Sequence, residues 1–305
     1  DGRSGLCVPA GSPEALGAAL ERLVADPAFA QQLGARAASG GRHIQPDCRH
    51  QADTGCLPRG AGRVNRPDVP ISVLVCTRNR PDDLRRCVTS ILGGRFGRFE
   101  LLVLDQSDGE ESAAFLESLA DPRVRLIRTE TRGLAKARNL AVLNAAAPIV
   151  AFTDDDCICD PGWIEAIVAE FDRHPDIDGL FGRVLPWGDR SADGFFCHCL
   201  IADSDERIVA EPVPPHRYLG HGNNMAFRVR LFRSIGLYNP EMGAGSRVRS
   251  GEVTDLTYRA LRARRGIKYS PVPLVYHNKW NDLDAADRLD LGYVMGFVMV
   301  FGKFF

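Results

Sequence analysis

The sequence has 305 residues, of which 45% are hydrophobic and 25% are charged, as in a soluble globular protein with ample apolar material for a core. This length predicts one large domain with an appendage, or two modest domains. Lys and Arg number 38 against 39 Asp and Glu, and this balance argues against a nucleic-acid partner bound through bulk charge. The nine cysteines are sparse and odd in number, so we expect a reducing, cytoplasmic location rather than a disulfide scaffold.

The first seventy residues divide into a helical part and a linker. Leu16, Leu20 and Leu23 recur at helical spacing, which predicts a short helical appendage over residues 1–44. Residues 45–70 are rich in Gly, Arg, Pro, Asn and Asp without periodicity, which predicts a linker.

From Ile71 onward the chain alternates between short apolar runs and amphipathic stretches. Four buried strands are predicted, at Ile71–Cys76, Phe99–Leu104, Val124–Ile127 and Ile149–Thr153. Three helices are predicted after the first three strands, the first opening at Pro81, the second carrying Ala114–Leu119 and the third spanning Leu134–Ala146. This alternation predicts an α/β fold with a mostly parallel central sheet flanked by helices.

The second half of the chain has a less regular pattern. A helix is predicted over Trp163–Arg173, whereas the stretch from Gly179 to Pro215 is predicted to be irregular and mixed. A helix from Val253 to Arg264 leads to a strand near Lys268–Tyr276. Residues 286–305 are predicted to form an apolar helix, in which the apolar run is shorter than the roughly 20 residues of a membrane span. We expect a docked tail or an interfacial helix in peripheral contact with a membrane rather than the third alternative, a truncated membrane span.

Polar residues follow the predicted strands where each strand ends. They are Thr77–Arg80 after the first strand, Asp105–Asp108 after the second and Asp154–Asp156 after the fourth. Ligands bind at the carboxyl ends of the strands in open parallel sheets, so these segments predict one site. Three consecutive aspartates repel one another unless a cation compensates, and carboxylates suit Mg²⁺ or Mn²⁺. A solvated acidic turn is the alternative.

The segment Gly133–Asn139 opens a predicted helix with two cations in its first turns. A helix N-terminus with Lys136 and Arg138 could hold a phosphate, although a surface helix with scattered charges has the same pattern. A Gly-Lys-Ser/Thr phosphate loop and a strand-following Gly-x-Gly-x-x-Gly are both missing from the sequence, which argues against kinases, ATPases and NAD enzymes. The Cys-x-Cys pairs at 157–159 and 197–199 lack the two-residue gap that is usual in zinc sites.

Taken in order, six segments resemble family 2 glycosyltransferases. They are Ile71–Arg80, Glu100–Asp108, Gly133–Asn139, Phe152–Cys157, Gly222–Phe227 and Gly251–Leu256, and the resemblance runs from about residue 71 to 277. It implies a GT-A fold over residues 71–285 and the inverting, metal-dependent transfer of a sugar from a UDP-, GDP- or dTDP-sugar to an acceptor hydroxyl. The implied acceptor is a glycan or a lipid-linked molecule in polysaccharide or glycoconjugate synthesis, at the inner face of the cell membrane. Residues 1–44 resemble the tail of a family 4 glycosyltransferase of GT-B fold.

The resemblance to family 2 also implies roles for individual residues. Those implied to bind the nucleotide sugar are Thr77, Arg78, Asn79, Arg80, Asp105, Gly133, Lys136, Arg138, Asn139, Asp154 and Asp155. The metal ligands, Mn²⁺ or Mg²⁺ being the ion, would be Asp156, Asp154 and His277. Trp163, Asn223 and Asn224 would contact the acceptor. The alternatives are a hydrogen-bonded core or rim histidine for His277 and a buried core anchor for Trp163.

The general base of the family belongs to a Glu-Asp pair near the start of a late helix. The corresponding pair here is Glu252-Val253, and valine cannot accept a proton. We expect Glu252 to be the base, with Asp255 one turn away as the alternative. A catalytically impaired nucleotide-sugar-binding module and a related metal-dependent nucleotidyltransferase are the competing hypotheses.

Overall fold

The computed structural model describes residues 68–211, 219–246 and 248–304, so the predictions for 1–44 and most of 45–70 lie outside the described residues. The strands are β1 (Ile71–Thr77), β2 (Phe99–Asp105), β3 (Val124–Arg128), β4 (Ile149–Asp154), β5 (Cys157–Cys159), β6 (Ile177–Pro186), β7 (Phe196–Cys197), β8 (Arg207–Val209), β9 (Met225–Arg228), β10 (Gly266–His277) and β11 (Trp280–Asn281). The helices are α1 (Pro81–Leu92), α2 (Glu111–Ser118), α3 (Leu134–Asn144), α4 (Trp163–Arg173), α5 (Val229–Ile235), α6 (Glu252–Arg262) and α7 (Leu283–Phe304).

Nine of the described strands form one sheet in the order β3-β2-β1-β4-β9-β6-β10-β5, with β8 also pairing with β10. The first four strands are parallel: β1 pairs with β2 and β4, and β2 pairs with β3. Their residues are apolar on both faces because helices cover both sides of the sheet. The predicted α/β class with a mostly parallel sheet is confirmed.

The strand β6 corrects the prediction that the chain becomes irregular from Gly179. It runs for ten residues, parallel to β10 and antiparallel to β9. Two glycines break its hydrophobic pattern, and the packing explains both, because a methyl group at Gly182 would clash with the Pro273 carbonyl oxygen and the Asn224 side chain. A methyl group at Gly179 would come within 2.6 Å of Ile267 Cδ1 and 2.9 Å of Phe227 Cδ1. The strand is therefore packed too closely there for a side chain, and periodicity alone does not reveal it.

The two faces of the sheet carry separate hydrophobic cores. The helices α1, α2 and α4 cover one core, and α3, α5 and α6 cover the other. In the second core Phe227 packs edge to face against Phe152, Phe181 and Phe232, with ring centroids 5.8 to 6.3 Å apart. Each such pair adds roughly 0.5–1.5 kcal/mol beyond the burial of its area, so Phe227 is a central contact of this core.

The last helix, α7, begins before the boundary predicted at residue 285 and packs against the segment that precedes α6. Ser250 Oγ donates a hydrogen bond of 2.7 Å to the carbonyl oxygen of Gly292. Large apolar side chains remain exposed along α7, namely Leu283, Leu289, Leu291, Tyr293, Met295, Phe297, Val298 and Met299. Among the described helices, none combines the length and hydropathy that crossing a membrane requires.

Replacing Phe227 with alanine should lower the free energy of unfolding by about 3–5 kcal/mol, because a fully buried ring is lost and a cavity remains. Phe196 is 47% exposed, so Phe196→Ala is the matched control and should change stability by no more than about 0.5 kcal/mol. Urea unfolding followed by circular dichroism measures both variants. Equal losses in the two variants would contradict this account of the core.

Candidate functional site

The carboxyl ends of β1, β2 and β4 lie side by side. The strand register pairs Thr77 with Asp105 and Cys76 with Asp154, so the polar segments that follow these strands share one edge of the sheet. This is the convergence that the sequence predicts, and it follows from parallel strands ending together.

Asp105 ends β2 as a buried carboxylate with one uncommitted oxygen. Its Oδ1 accepts a hydrogen bond of 2.8 Å from the backbone nitrogen of Ser107. Its Oδ2 has no hydrogen-bond partner within the described residues, and Arg128 Nε lies 3.9 Å away. A buried carboxylate oxygen without a donor is costly unless a ligand supplies one, so Asp105 is suited to bind a ligand N–H or O–H group.

Asn79 joins the loops after β1 and β2. It has a φ of 55°, a left-handed conformation that asparagine tolerates well. Its Nδ2 donates to Asp108 Oδ2 at 2.9 Å, and its Oδ1 accepts from the Asp108 backbone nitrogen at 2.9 Å. Arg78 is half exposed, with its Nη2 3.9 Å from Asp108 Oδ2. Asn79 and Arg78 thus lie in the loop that borders the site.

Arg80 compensates the charge of two consecutive aspartates. Its Nη1 lies 3.0 Å from Asp155 Oδ1 and 3.0 Å from Asp156 Oδ2. Thr77 Oγ1 donates to Asp155 Oδ2 at 2.7 Å. Burial raises the pKa of Asp155 to about 7, and the nearby guanidinium of Arg80 opposes this shift. Part of the compensation that the sequence ascribes to a metal ion therefore comes from the protein itself.

Asp156 and His277 form a buried pair across β5 and β10. His277 Nε2 lies 3.4 Å from Asp156 Oδ1, and His277 Nδ1 lies 2.7 Å from the carbonyl oxygen of His198, so Nδ1 is the donor there. Burial disfavours the charged imidazole, but the interaction with Asp156 outweighs it and raises the pKa of His277 to about 10. Although burial opposes the shift, the same interaction lowers the pKa of Asp156.

This pair belongs to a group that could hold a metal ion. One ligand atom each from Asp156, Cys157 and His277 lies within 4.8 Å of the others, and the described part of the chain contains no second group of this kind. Burial raises the pKa of the Cys157 thiol, which keeps it protonated and disfavours it as a ligand. The carboxylate and the imidazole are therefore the better ligands. Asp154, also predicted as a ligand, lies outside this group.

Arg138 is a buried cation that connects two carboxylates on different elements. Its Nη1 donates to Glu252 Oε1 at 2.8 Å, and its Nη2 donates to Asp154 Oδ1 at 3.1 Å. Its side chain is 3% exposed, and the two carboxylates raise its pKa against the effect of burial. Of the two cations predicted to meet a phosphate, Arg138 is committed to carboxylates, and only Lys136 faces solvent.

Glu252 and Asp255 differ in how they are placed on α6. Glu252 is the first residue of the helix, and its Oε1 takes the bond from Arg138. Asp255 is fully buried one turn later, and its Oδ2 accepts a hydrogen bond of 2.8 Å from Arg259 Nε. The helix thus presents Glu252 towards Asp154, whereas Asp255 lies in the interior of the protein.

The residues predicted to contact an acceptor are buried. Trp163 is 1% exposed, and its Nε1 donates to Asn224 Oδ1 at 2.9 Å. Asn224 Nδ2 in turn donates to the carbonyl oxygens of Arg183 and Pro273. The alternative of a buried core anchor therefore accounts for Trp163. Asn223 is also buried, but its Oδ1 has no partner within the described residues.

The start of helix α3, next to Gly133, is held in place by hydrogen bonds to neighbouring segments. Gly133 has a φ of 113°, which favours glycine. Asn139 exchanges two 2.9 Å hydrogen bonds with the backbone of Tyr238. Gln106 belongs to the segment Asp105–Asp108 that the sequence predicts at the site, whereas Arg132 is not predicted. Both residues connect the loop after β2 to this helix: Gln106 Nε2 donates to the Gly133 carbonyl oxygen at 3.3 Å, and Arg132 contacts Gln106 and Asp108.

The arrangement of this sheet and its site defines the GT-A class of nucleotide-diphospho-sugar transferases. The structure of S. aureus TarS 1-349 in complex with UDP-GlcNAc has this fold, with a TM-score of 0.53 and 19% identity over 74% of this chain and 66% of that chain. Within the chain, residues 72–196 match the family Glycosyl transferase family 2. The matching segment begins in β1 and contains β2 to β6, so the similarity to this family covers the strand ends that carry the site.

Curated relatives are similar over part of their length. The glucosyl-dolichyl phosphate glucuronosyltransferase of Haloferax volcanii is 27% identical over 179 residues, 57% of this chain and 57% of the relative. The pre-mycofactocin glycosyltransferase of Mycobacterium tuberculosis is 27% identical over 212 residues, 68% of this chain and 42% of the relative. The chain thus spans about half the length of these relatives.

Replacing Arg138 with methionine should destabilise the protein by about 3–5 kcal/mol, because Asp154 and Glu252 would lose the cation that pairs them in the interior. The control Arg264→Met removes an exposed ion pair with Glu211 and should cost no more than about 1 kcal/mol. Urea unfolding at pH 7 measures the difference. If both arginines cost the same, Arg138 does not hold the two carboxylates together.

Proposed function

We propose that this protein is a metal-dependent, inverting glycosyltransferase that moves a sugar from a nucleotide-diphosphate sugar to an acceptor hydroxyl. The observation that carries the proposal is the buried pair Asp156–His277, with Asp105 and Glu252 at the same strand-end site. The family match over residues 72–196 and the glycosyltransferase relatives support the same reaction class.

Asp156 and His277 fit a hard divalent cation such as Mn²⁺ or Mg²⁺. Asp156 Oδ2 contacts Arg80, whereas its buried Oδ1 has no hydrogen-bond partner within the described residues and faces His277 Nε2 at 3.4 Å, so this oxygen and this nitrogen could turn to one ion. Carboxylate oxygen and imidazole nitrogen both suit Mn²⁺. A cation bound there would neutralise the negative charge of a departing nucleoside diphosphate.

The nucleotide would lie at the ends of β1, β2 and β4. The uncommitted oxygen of Asp105 would accept a hydrogen bond from an N–H group of the base, close to Thr77. Asp154 keeps about a third of its side chain exposed (34%) beside Arg138, so its carboxylate would be accessible to a ribose hydroxyl. These placements orient the donor before reaction, which is the contribution that positioning makes to rate.

Glu252 would be the general base that removes the proton of the acceptor hydroxyl. Arg138 holds its Oε1, which leaves Oε2 to accept the proton. Inversion in one displacement needs a single base of this kind, and Asp255 is buried against Arg259. Val253 packs in the core, so Glu252 is the member of the pair that contacts Arg138 at the site.

A catalytically impaired nucleotide-sugar-binding module is the second candidate. The observation in its favour is the bond between Glu252 and Arg138, because a carboxylate paired with a cation is a weaker base. We further propose a glycan or lipid-linked acceptor and action at the cytoplasmic face of a membrane. Peripheral contact through the exposed apolar side chains of α7 would suit that location.

The assay for the main proposal combines Mn²⁺ with UDP-, GDP- and dTDP-sugars and a broad panel of glycan and lipid-linked acceptors. Glu252→Gln should lower kcat about 10²–10⁴-fold with little change in donor KM, because only the proton acceptor is lost. Asp156→Asn should abolish the Mn²⁺-dependent part of UDP binding in calorimetry. Asp172→Asn, on the exposed face of α4, is the matched control and should behave as wild type.

Each outcome decides between the candidates. Full activity in Asp156→Asn would refute the metal site, and full activity in Glu252→Gln would place the base elsewhere. Donor binding by the wild type without turnover on any acceptor of the panel would favour the impaired binding module.

A further inference from the structure

Trp187 is a tryptophan that the protein leaves nearly half exposed. It follows β6 directly, and 48% of its surface faces solvent, in contrast to the buried Trp163. Tryptophan has a large apolar surface that is usually buried, so an exposed one indicates a surface that binds something.

Trp187 is held in place by three contacts. Its ring packs edge to face on Tyr276, with centroids 5.5 Å apart and an interplanar angle of 75°. Its carbonyl oxygen accepts a hydrogen bond of 3.0 Å from Trp280 Nε1, and its backbone nitrogen donates to the carbonyl oxygen of His277 at 2.9 Å. A ring fixed in this way loses little entropy when a ligand packs against it.

The same contacts place Trp187 beside the candidate metal pair. Its backbone bonds to His277, whose Nε2 lies 3.4 Å from Asp156 Oδ1. Trp280, on β11, donates to the carbonyl oxygen of Trp187, so the aromatic residues Trp187, Tyr276 and Trp280 lie together next to the strand end that carries His277.

We propose that Trp187, packed on Tyr276 and next to Trp280, forms an aromatic platform that stacks a sugar ring of the acceptor. The C–H face of a pyranose packs on an aromatic ring, while its hydroxyl groups stay available to polar neighbours. Such a subsite next to the donor would hold an acceptor hydroxyl within reach of the reaction. The proposal rests on the proposed transferase function and names the acceptor class as a glycan.

The charges near the platform favour a glycan over a bilayer. Asp189, Arg190 and Asp193 follow Trp187 within six residues, and all three side chains are exposed. Insertion of Trp187 into a membrane would bring these charges into an apolar medium, which is unfavourable. A hydrated sugar instead offers hydroxyl groups to the same charges.

The test measures glycan binding without requiring turnover. Wild type, Trp187→Ala, Trp187→Tyr and the exposed control Ile208→Ala are titrated with chito-, malto- and mannooligosaccharides, by calorimetry and by tryptophan fluorescence. We expect Trp187→Ala to weaken binding about tenfold, Trp187→Tyr to retain most of it, and Ile208→Ala to match wild type. UDP binding with Mn²⁺ should be the same in all four proteins.

Three results would overturn the platform: no binding of any oligosaccharide by the wild type, equal glycan affinity in Trp187→Ala, or a loss confined to binding of phosphatidylglycerol vesicles. The third result would make the ring a membrane contact. Glycan binding that depends on Trp187 in a protein without transfer activity would support the platform and refute the proposed reaction, so the two failures are distinguishable.

Discussion

The buried guanidinium of Arg138 joins two parts of the site that are far apart in sequence. It extends from α3 to Asp154 at the end of β4 and to Glu252 at the start of α6. A charge with so little exposure is stable only when it is paired, so the fold requires both carboxylates. The position of the proposed base relative to the donor therefore depends on this ion pair.

A second cation, Arg80, has the equivalent role on the other side of β4. It contacts both Asp155 and Asp156, so the run of aspartates is balanced before any ion binds. Acids at strand ends are thus opposed by arginines from neighbouring elements. A divalent ion would then share Asp156 with an existing cation, and its affinity depends on that competition.

Much of the fold and part of the site can be predicted from the sequence. The four parallel strands can be predicted because each is a short apolar run. Asp105 and Asp154–Asp156 can be predicted as site residues because they directly follow such runs. The pairing of Arg138 with Glu252 cannot be predicted, because Glu252 lies 114 residues later in the sequence. The strand β6 is not predicted, because its glycines interrupt the apolar pattern. The exposure of Trp187 is not predicted either, because it depends on tertiary packing and not on the local sequence.

The contact between α7 and the start of α6 has a mechanical consequence. Ser250 bonds to Gly292, and a methyl group at Gly251 would come within 2.9 Å of the Gly296 carbonyl oxygen, so the two helices touch backbone to backbone just before Glu252. The last helix thus supports the backbone next to Glu252, although it lies outside the segment that matches the family. A fragment that ends at residue 285 would keep every residue of the proposed site. It would lose the helix contacts that fix the position of the proposed base, Glu252.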